Sequence, residues 1–164
     1  MTAKAKVEEP QALADVSVSL WVRLLESHNL MLAELRRRFV PGRGGAATLP
    51  RFDLLANLIR EDGQTLAALS RRMLVTAGNV TGLVDRAERD GLVERRADPE
   101  DRRLSRVFLK KKGRALITSL LPRHAAHVAD LLAGLDAKER RELRRLLGKL
   151  RGSFTSHDSE AAVS

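Results

Sequence analysis

Between Thr76 and Arg89 the sequence places Gly78, Asn79, Thr81, Gly82, Asp85, Arg86 and Arg89 opposite Val80, Leu83, Val84 and Ala87 on a helical projection. The second set is a core stripe. The first is a face of short hydrogen-bonding side chains bounded by arginines. An asparagine can pair its donor and acceptor with adenine, a threonine methyl can meet the thymine methyl, and arginine can take guanine or a phosphate. Two glycines on that face cost about 1 kcal/mol each relative to alanine. Close approach of another molecule would account for them; a solvated face with tolerated glycines is the plainer alternative.

A second group follows at once. Arg95, Arg96, Arg102, Arg103 and Arg106 surround the turn Asp98-Pro99, with Asp98 and Asp101 among them. An arginine at a hairpin tip suits the narrow, electronegative minor groove, and its neighbours suit phosphates. The aspartates are expected to brace some of these arginines. A charge run alone would equally fit a solvated loop.

No comparable grouping suggests catalysis. There is no phosphate loop, nucleophile motif or clustered acid and base, so neither catalytic residues nor a cofactor are expected. His124 and His127 are three apart on one helix face, but a zinc site needs about four ligands and the chain has no cysteine. No metal site is expected.

The elements that must position these groups are mostly helical. Hydrophobic residues make up 43% of the 164 and aromatics only 3%, so the core must come from leucine, valine and alanine. Apolar spacing predicts a helix over Ala12 to Phe39, ended by the Pro41-Gly42 region. A second helix is capped by Thr48, with Pro50 just inside and Phe52, Leu55, Leu58 and Ile59 inward. Thr65 caps a third, short helix with Leu66, Leu69 and Met73 buried. The tight link Leu74-Val75-Thr76 leads to a fourth, capped by Thr76 and ended at Gly91, which makes a helix-turn-helix. Leu92 to Arg96 and Leu104 to Leu109 predict a hairpin. Helical spacing resumes at Lys111; Pro122 should kink or split that helix, and Asp136 caps a last one lined by Leu143, Leu146, Leu147 and Leu150.

The expected organisation is a flexible tail over 1–10, an N-terminal helix and linker over 11–47, a DNA-facing lobe over 48–110, C-terminal helices over 111–152 and a flexible tail over 153–164. The net charge of +9 favours a polyanionic partner, double-stranded DNA first among them. No apolar run is long enough to span a bilayer and no signal peptide is evident, so a cytoplasmic protein without membrane contact is expected. The basic last helix could lie on a membrane surface, but its leucine stripe and the acidic Glu139 and Glu142 favour a solvated dimerisation helix.

The strings Leu49-Pro50-Arg51-Phe52-Asp53, Leu69-Ser70-Arg71-Arg72-Met73, Asn79 to Arg86, Asp90 to Arg95 and Asp98 to Arg103 together resemble the MarR-type (multiple antibiotic resistance regulator) transcription factors. The likeness runs from about Leu13 to Leu150. It implies a mainly α winged helix-turn-helix with a short β-hairpin wing, whose N- and C-terminal helices interlock in a homodimer. It also implies a repressor released from a pseudo-palindromic operator by a small anionic effector, an aromatic acid or its acyl-CoA thioester. On the same resemblance Thr76, Gly78, Asn79, Thr81, Gly82, Arg86 and Arg89 face DNA, and Arg102 or Arg103 is the minor-groove arginine. Trp21, His28 and Arg51 would fall near the effector pocket, although Trp21 also fits a core position, His28 an interface and Arg51 a phosphate contact. Two departures stand out: Lys110 replaces a threonine cap, and Pro122 interrupts a normally continuous helix. An architectural DNA binder without an effector is the alternative.

Overall fold

The computed structural model describes residues 15–39, 48–101 and 103–161. The chain divides into two compact units, one up to Pro122 and one from Arg123. In chain order the elements are α1 (Val16–Arg38), α2 (Leu49–Arg60), β1 (Gln64–Thr65), α3 (Leu66–Met73), α4 (Ala77–Arg89), β2 (Val93–Ala97), β3 (Ser105–Leu109), α5 (Lys111–Leu131) and α6 (Ala137–Ala161).

Helices α1, α3 and α4 each open on a side-chain cap, whereas Thr48, expected to cap α2, precedes it without a side-chain cap hydrogen bond. Asp15 accepts the Ser17 amide at 2.6 Å to open α1, so the described helix begins later than the expected Ala12; the residues before Asp15 and the linker 40–47 lie outside the described residues. Pro50 stands in the first turn of α2, where a missing N–H costs nothing. The Thr65 side chain accepts the Ala68 amide at 3.2 Å and opens α3. The Thr76 side chain accepts the Asn79 amide at 3.4 Å and opens α4.

The core is contiguous across these elements. Leu54, Leu55 and Leu58 of α2, Leu69 of α3, Val80 and Val84 of α4, Val93, Val107 and Ile117 are all fully buried. Burial of each such side chain stabilises by about 1.5–3 kcal/mol relative to exposure, which makes this lobe the rigid support of α4. Ile59 and Met73, expected inward, are only partly buried at its edge.

The hairpin belongs to a three-stranded antiparallel sheet of order β1-β3-β2. Val93 pairs with Leu109 and Ala97 with Ser105. The extra strand, Gln64 with Val107 and Thr65 with Arg106, was not expected. Two positions demand glycine. A Cβ at Gly63, where φ is +71°, would lie 2.7 Å from the Phe108 ring, and one at Gly113 would lie 2.1 Å from the Leu92 carbonyl oxygen. The latter contact lets the first turn of α5 close against the start of β2.

Helix α5 (Lys111–Leu131) is continuous with Pro122 inside it, so the expected split does not occur; a proline removes a single backbone donor. The missing hydroxyl cap is also compensated, because the Lys110 amide donates to the Leu92 carbonyl at 3.0 Å and the Lys110 carbonyl accepts the Arg114 amide at 2.9 Å.

In the second unit, Asp136 Oδ1 accepts the Lys138 and Glu139 amides at 2.6 and 2.9 Å, while Glu139 Oε2 accepts the Asp136 amide at 2.8 Å. This reciprocal cap opens α6. The helix continues to Ala161, so residues 153–161 of the expected tail are helical. Beyond Gly152 no proline stops propagation, and extending an existing helix needs no new nucleus.

Helix α1 buries none of its residues: Leu20, Trp21 and Leu25 are exposed. On α6, Leu143, Leu146, Leu147 and Leu150 are likewise exposed. Among the described residues no helix is long and apolar enough to cross a membrane.

Candidate nucleic-acid interface

Helix α4 is split lengthwise by burial. Val80, Leu83, Val84 and Ala87 are buried, whereas Thr76, Gly78, Asn79, Thr81, Asp85, Arg86 and Arg89 are exposed and Gly82 is partly so. The predicted residues therefore share one face. Thr81 donates its hydroxyl to the Ala77 carbonyl at 3.0 Å, which leaves its methyl and lone pairs for a partner. A Cβ at Gly78 would meet nothing within 4 Å, and one at Gly82 only the Arg86 guanidinium at 3.4 Å. Packing within the chain thus does not account for either glycine.

The turn before α4 holds a feature that sequence reasoning missed. Leu74 adopts φ 53° and ψ 41°, the left-handed region, with its side chain 91% exposed. Such a conformation costs a β-carbon-bearing residue roughly 1–2 kcal/mol. It is held by Ser70, whose hydroxyl donates to the Val75 carbonyl at 2.6 Å and whose carbonyl accepts the Val75 amide at 3.2 Å. The only trace in the sequence was the shortness of the link.

The wing arginines are sorted by their partners. Arg106 donates to Asp98 Oδ2 at 2.5 Å and to the Gly63 carbonyl at 3.2 Å. Asp98 is 3% exposed and also accepts the Glu100 and Asp101 amides at 2.8 and 3.2 Å. The Glu100 amide, with the Asp101 amide and Arg106 guanidinium behind it, holds this carboxyl below its usual range against its own desolvation. Arg96 pairs with Glu94 and lies over the Phe108 ring at 4.6 Å. Arg95 turns back to α4, to Asp85 and Glu88. Arg103 remains at the tip, its side chain 92% exposed and in loose contact with Asp101 at 3.2 Å. Arg102 lies outside the described residues.

Residues 48–104, the segment that contains the helix-turn-helix and most of the wing, match the model of the MarR family. The transcriptional activatory protein BadR of Rhodopseudomonas palustris is 31% identical over 165 residues, which cover 96% of this chain and 82% of BadR. The chain belongs to the MarR family. Another relative is the uncharacterized HTH-type transcriptional regulator YkoM of Bacillus subtilis, 35% identical over 98 residues; the match covers 60% of this chain and 64% of YkoM, under two thirds of its length. Among solved structures, the PcaV transcriptional regulator of Streptomyces coelicolor, in complex with its natural ligand, superposes with a TM-score of 0.65 at 26% identity, covering 91% of this chain and 98% of PcaV.

Trp21 is 63% exposed and His28 is exposed, two turns apart on α1. Arg51 is buried in α2 and pairs with Asp90 at 2.5 Å. A pocket of about 300 Å³ lies between α2 and α3, lined by Asp53, Ala56, Asn57, Arg60, Arg72 and Met73; none of the three borders it. Among the described residues no three histidine, aspartate or glutamate side chains group closely enough to hold a metal ion. Burial, and secondarily His127, pushes the His124 imidazole below its usual pKa.

Proposed function

We propose that this MarR-family chain is a homodimeric, sequence-specific DNA-binding regulator that represses transcription until a small anionic effector releases it. The observation that carries this is the composition of α4: one face fully committed to the core, the other an uncovered row from Gly78 to Arg89 with glycines that the chain's own packing does not require. Asn79 and Thr81 stand near the helix N-terminus, where helix-turn-helix proteins contact bases. Arg103 at the wing tip, or the adjacent Arg102, reaches the flanking minor groove, and Arg86 and Arg89 bind guanine or phosphate.

The exposed leucines of α1 and α6 supply the surfaces that a second copy would cover. A two-fold dimer presents two α4 helices to half-sites about 34 Å apart, one helical turn. PcaV is described with a natural ligand, which supports a ligand-responsive reading for this chain; the effector we propose is an aromatic acid or its acyl-CoA thioester. The effector needs only to bind the DNA-incompetent arrangement more tightly than the competent one.

Selection of duplexes from a randomised pool, followed by mobility-shift titration with and without aromatic acids and their CoA esters, tests the proposal. One enriched palindrome, released by ligand, is expected. Equal binding to every duplex would instead indicate an architectural protein. A reporter fused to the selected duplex gives the direction of control, a point of interest because BadR is named an activatory protein.

A further inference from the structure

Arg95 sits in the basic run of the wing and by composition counts among its phosphate contacts. Its geometry gives it another task. One terminal nitrogen lies 2.6 Å from Asp85 Oδ1 and the other 2.8 Å from Glu88 Oε2, both carboxylates belonging to α4. Glu88 Oε1 also accepts the Arg95 backbone amide at 2.8 Å. The side chain is only a quarter exposed. A planar guanidinium held on two edges, with its own backbone tied to the same carboxylate, leaves the root of β2 little freedom to rotate or slide on α4.

We infer that Arg95 is a positioning residue that locks the wing to α4, so that Asn79 and Thr81 on one element and Arg103 on the other meet the duplex in a fixed register. It does not itself bind phosphate. The inference rests on the proposal that α4 and the wing contact DNA together.

Charge separates this role from the alternative. Neutralising Asp85 and Glu88 removes two negative charges beside a surface that faces a polyanion, and frees Arg95 to reach a phosphate. Electrostatics alone then requires tighter binding with a steeper salt dependence. A positioning role requires weaker binding.

The decisive variant is the isosteric pair Asp85→Asn with Glu88→Gln, in the full-length protein, titrated by mobility shift against the duplex recovered by selection over a range of salt concentrations. It is compared with Arg95→Ala and Arg95→Lys. The pair is expected to bind about tenfold more weakly despite its added positive charge. Arg95→Lys, able to hold one carboxylate but not both, should fall between wild type and Arg95→Ala. Without DNA, amide exchange in the pair should quicken at Arg95 and along β2 while α2 remains protected. Equal or tighter binding by the pair overturns the inference. So does an Arg95→Ala variant that loses about one unit of salt slope while β2 exchange is unchanged. If selection recovers no duplex, the DNA-binding proposal fails, and unchanged β2 exchange in the pair would still refute the lock.

Discussion

Arg51, in the first turn of α2, reaches Asp90 at the C-cap of α4 with a nitrogen to oxygen distance of 2.5 Å. The arginine is buried while Asp90 is about half exposed. The pair therefore ties the first helix of the lobe to the far end of the helix that would contact bases.

Substituting Arg51 with alanine should lower stability by about 1–2 kcal/mol in urea denaturation. This is less than the roughly 3–5 kcal/mol of breaking a fully buried pair, because water screens Asp90. Were Arg51 chiefly an effector contact, the variant would lose its ligand response at unchanged stability.

Leu74 offers a stabilising change. The left-handed backbone costs about 1–2 kcal/mol, and its exposed side chain contributes no burial. Glycine removes the strain but adds unfolded-state entropy of about 0.5–1 kcal/mol. Leu74→Gly should thus be more stable by roughly 0.5 kcal/mol, measured as a small rise in Tm.

At the proposed interface, Asn79→Ala should weaken binding to the selected duplex by about 1–3 kcal/mol and relax preference at one base position. Arg103→Ala should weaken binding to all duplexes and reduce the salt slope by about one. Sedimentation should show the oligomeric state unchanged in both. Unaltered affinity in both variants would place the contact surface elsewhere.

Asp98 makes the wing sensitive to acid. Its folded pKa lies below the ordinary 3.8, so its stabilising contribution is present above that value and disappears as pH falls through the folded pKa. Amide exchange at Glu100 and Asp101 should be protected near neutrality and lose protection only as pH falls below the ordinary 3.8 through the depressed folded pKa. Asp98→Asn should abolish that pH dependence.

The helix-turn-helix was legible because apolar periodicity over α2, α3 and α4 is strong and Thr65 and Thr76 cap as their types predict. Strand β1 was not, since Gln64 and Thr65 are too few to display an alternation; only the glycine at position 63, where a Cβ would meet Phe108 of β3, marks the approach of that strand. The sorting of the wing arginines was equally hidden. Their sequence neighbours Asp98 and Asp101 suggested local bracing, which holds for Arg103 and Arg106, but Arg95 finds Asp85 and Glu88 across the junction of two elements. Arg51 and Asp90 are farther apart still, and their types alone gave no reason to join them.

Thr65 belongs to β1 through its register with Arg106, and the same residue supplies the hydroxyl that opens α3. Arg106 is one residue from the outer end of the hairpin ladder, so bending the hairpin away from β1 there would have to disturb the residue that caps α3. Strain applied at the wing tip is therefore transmitted to the lobe much as torque passes through a keyed shaft, and any freedom the hairpin keeps lies outward of Ala97 and Ser105, where the ladder ends.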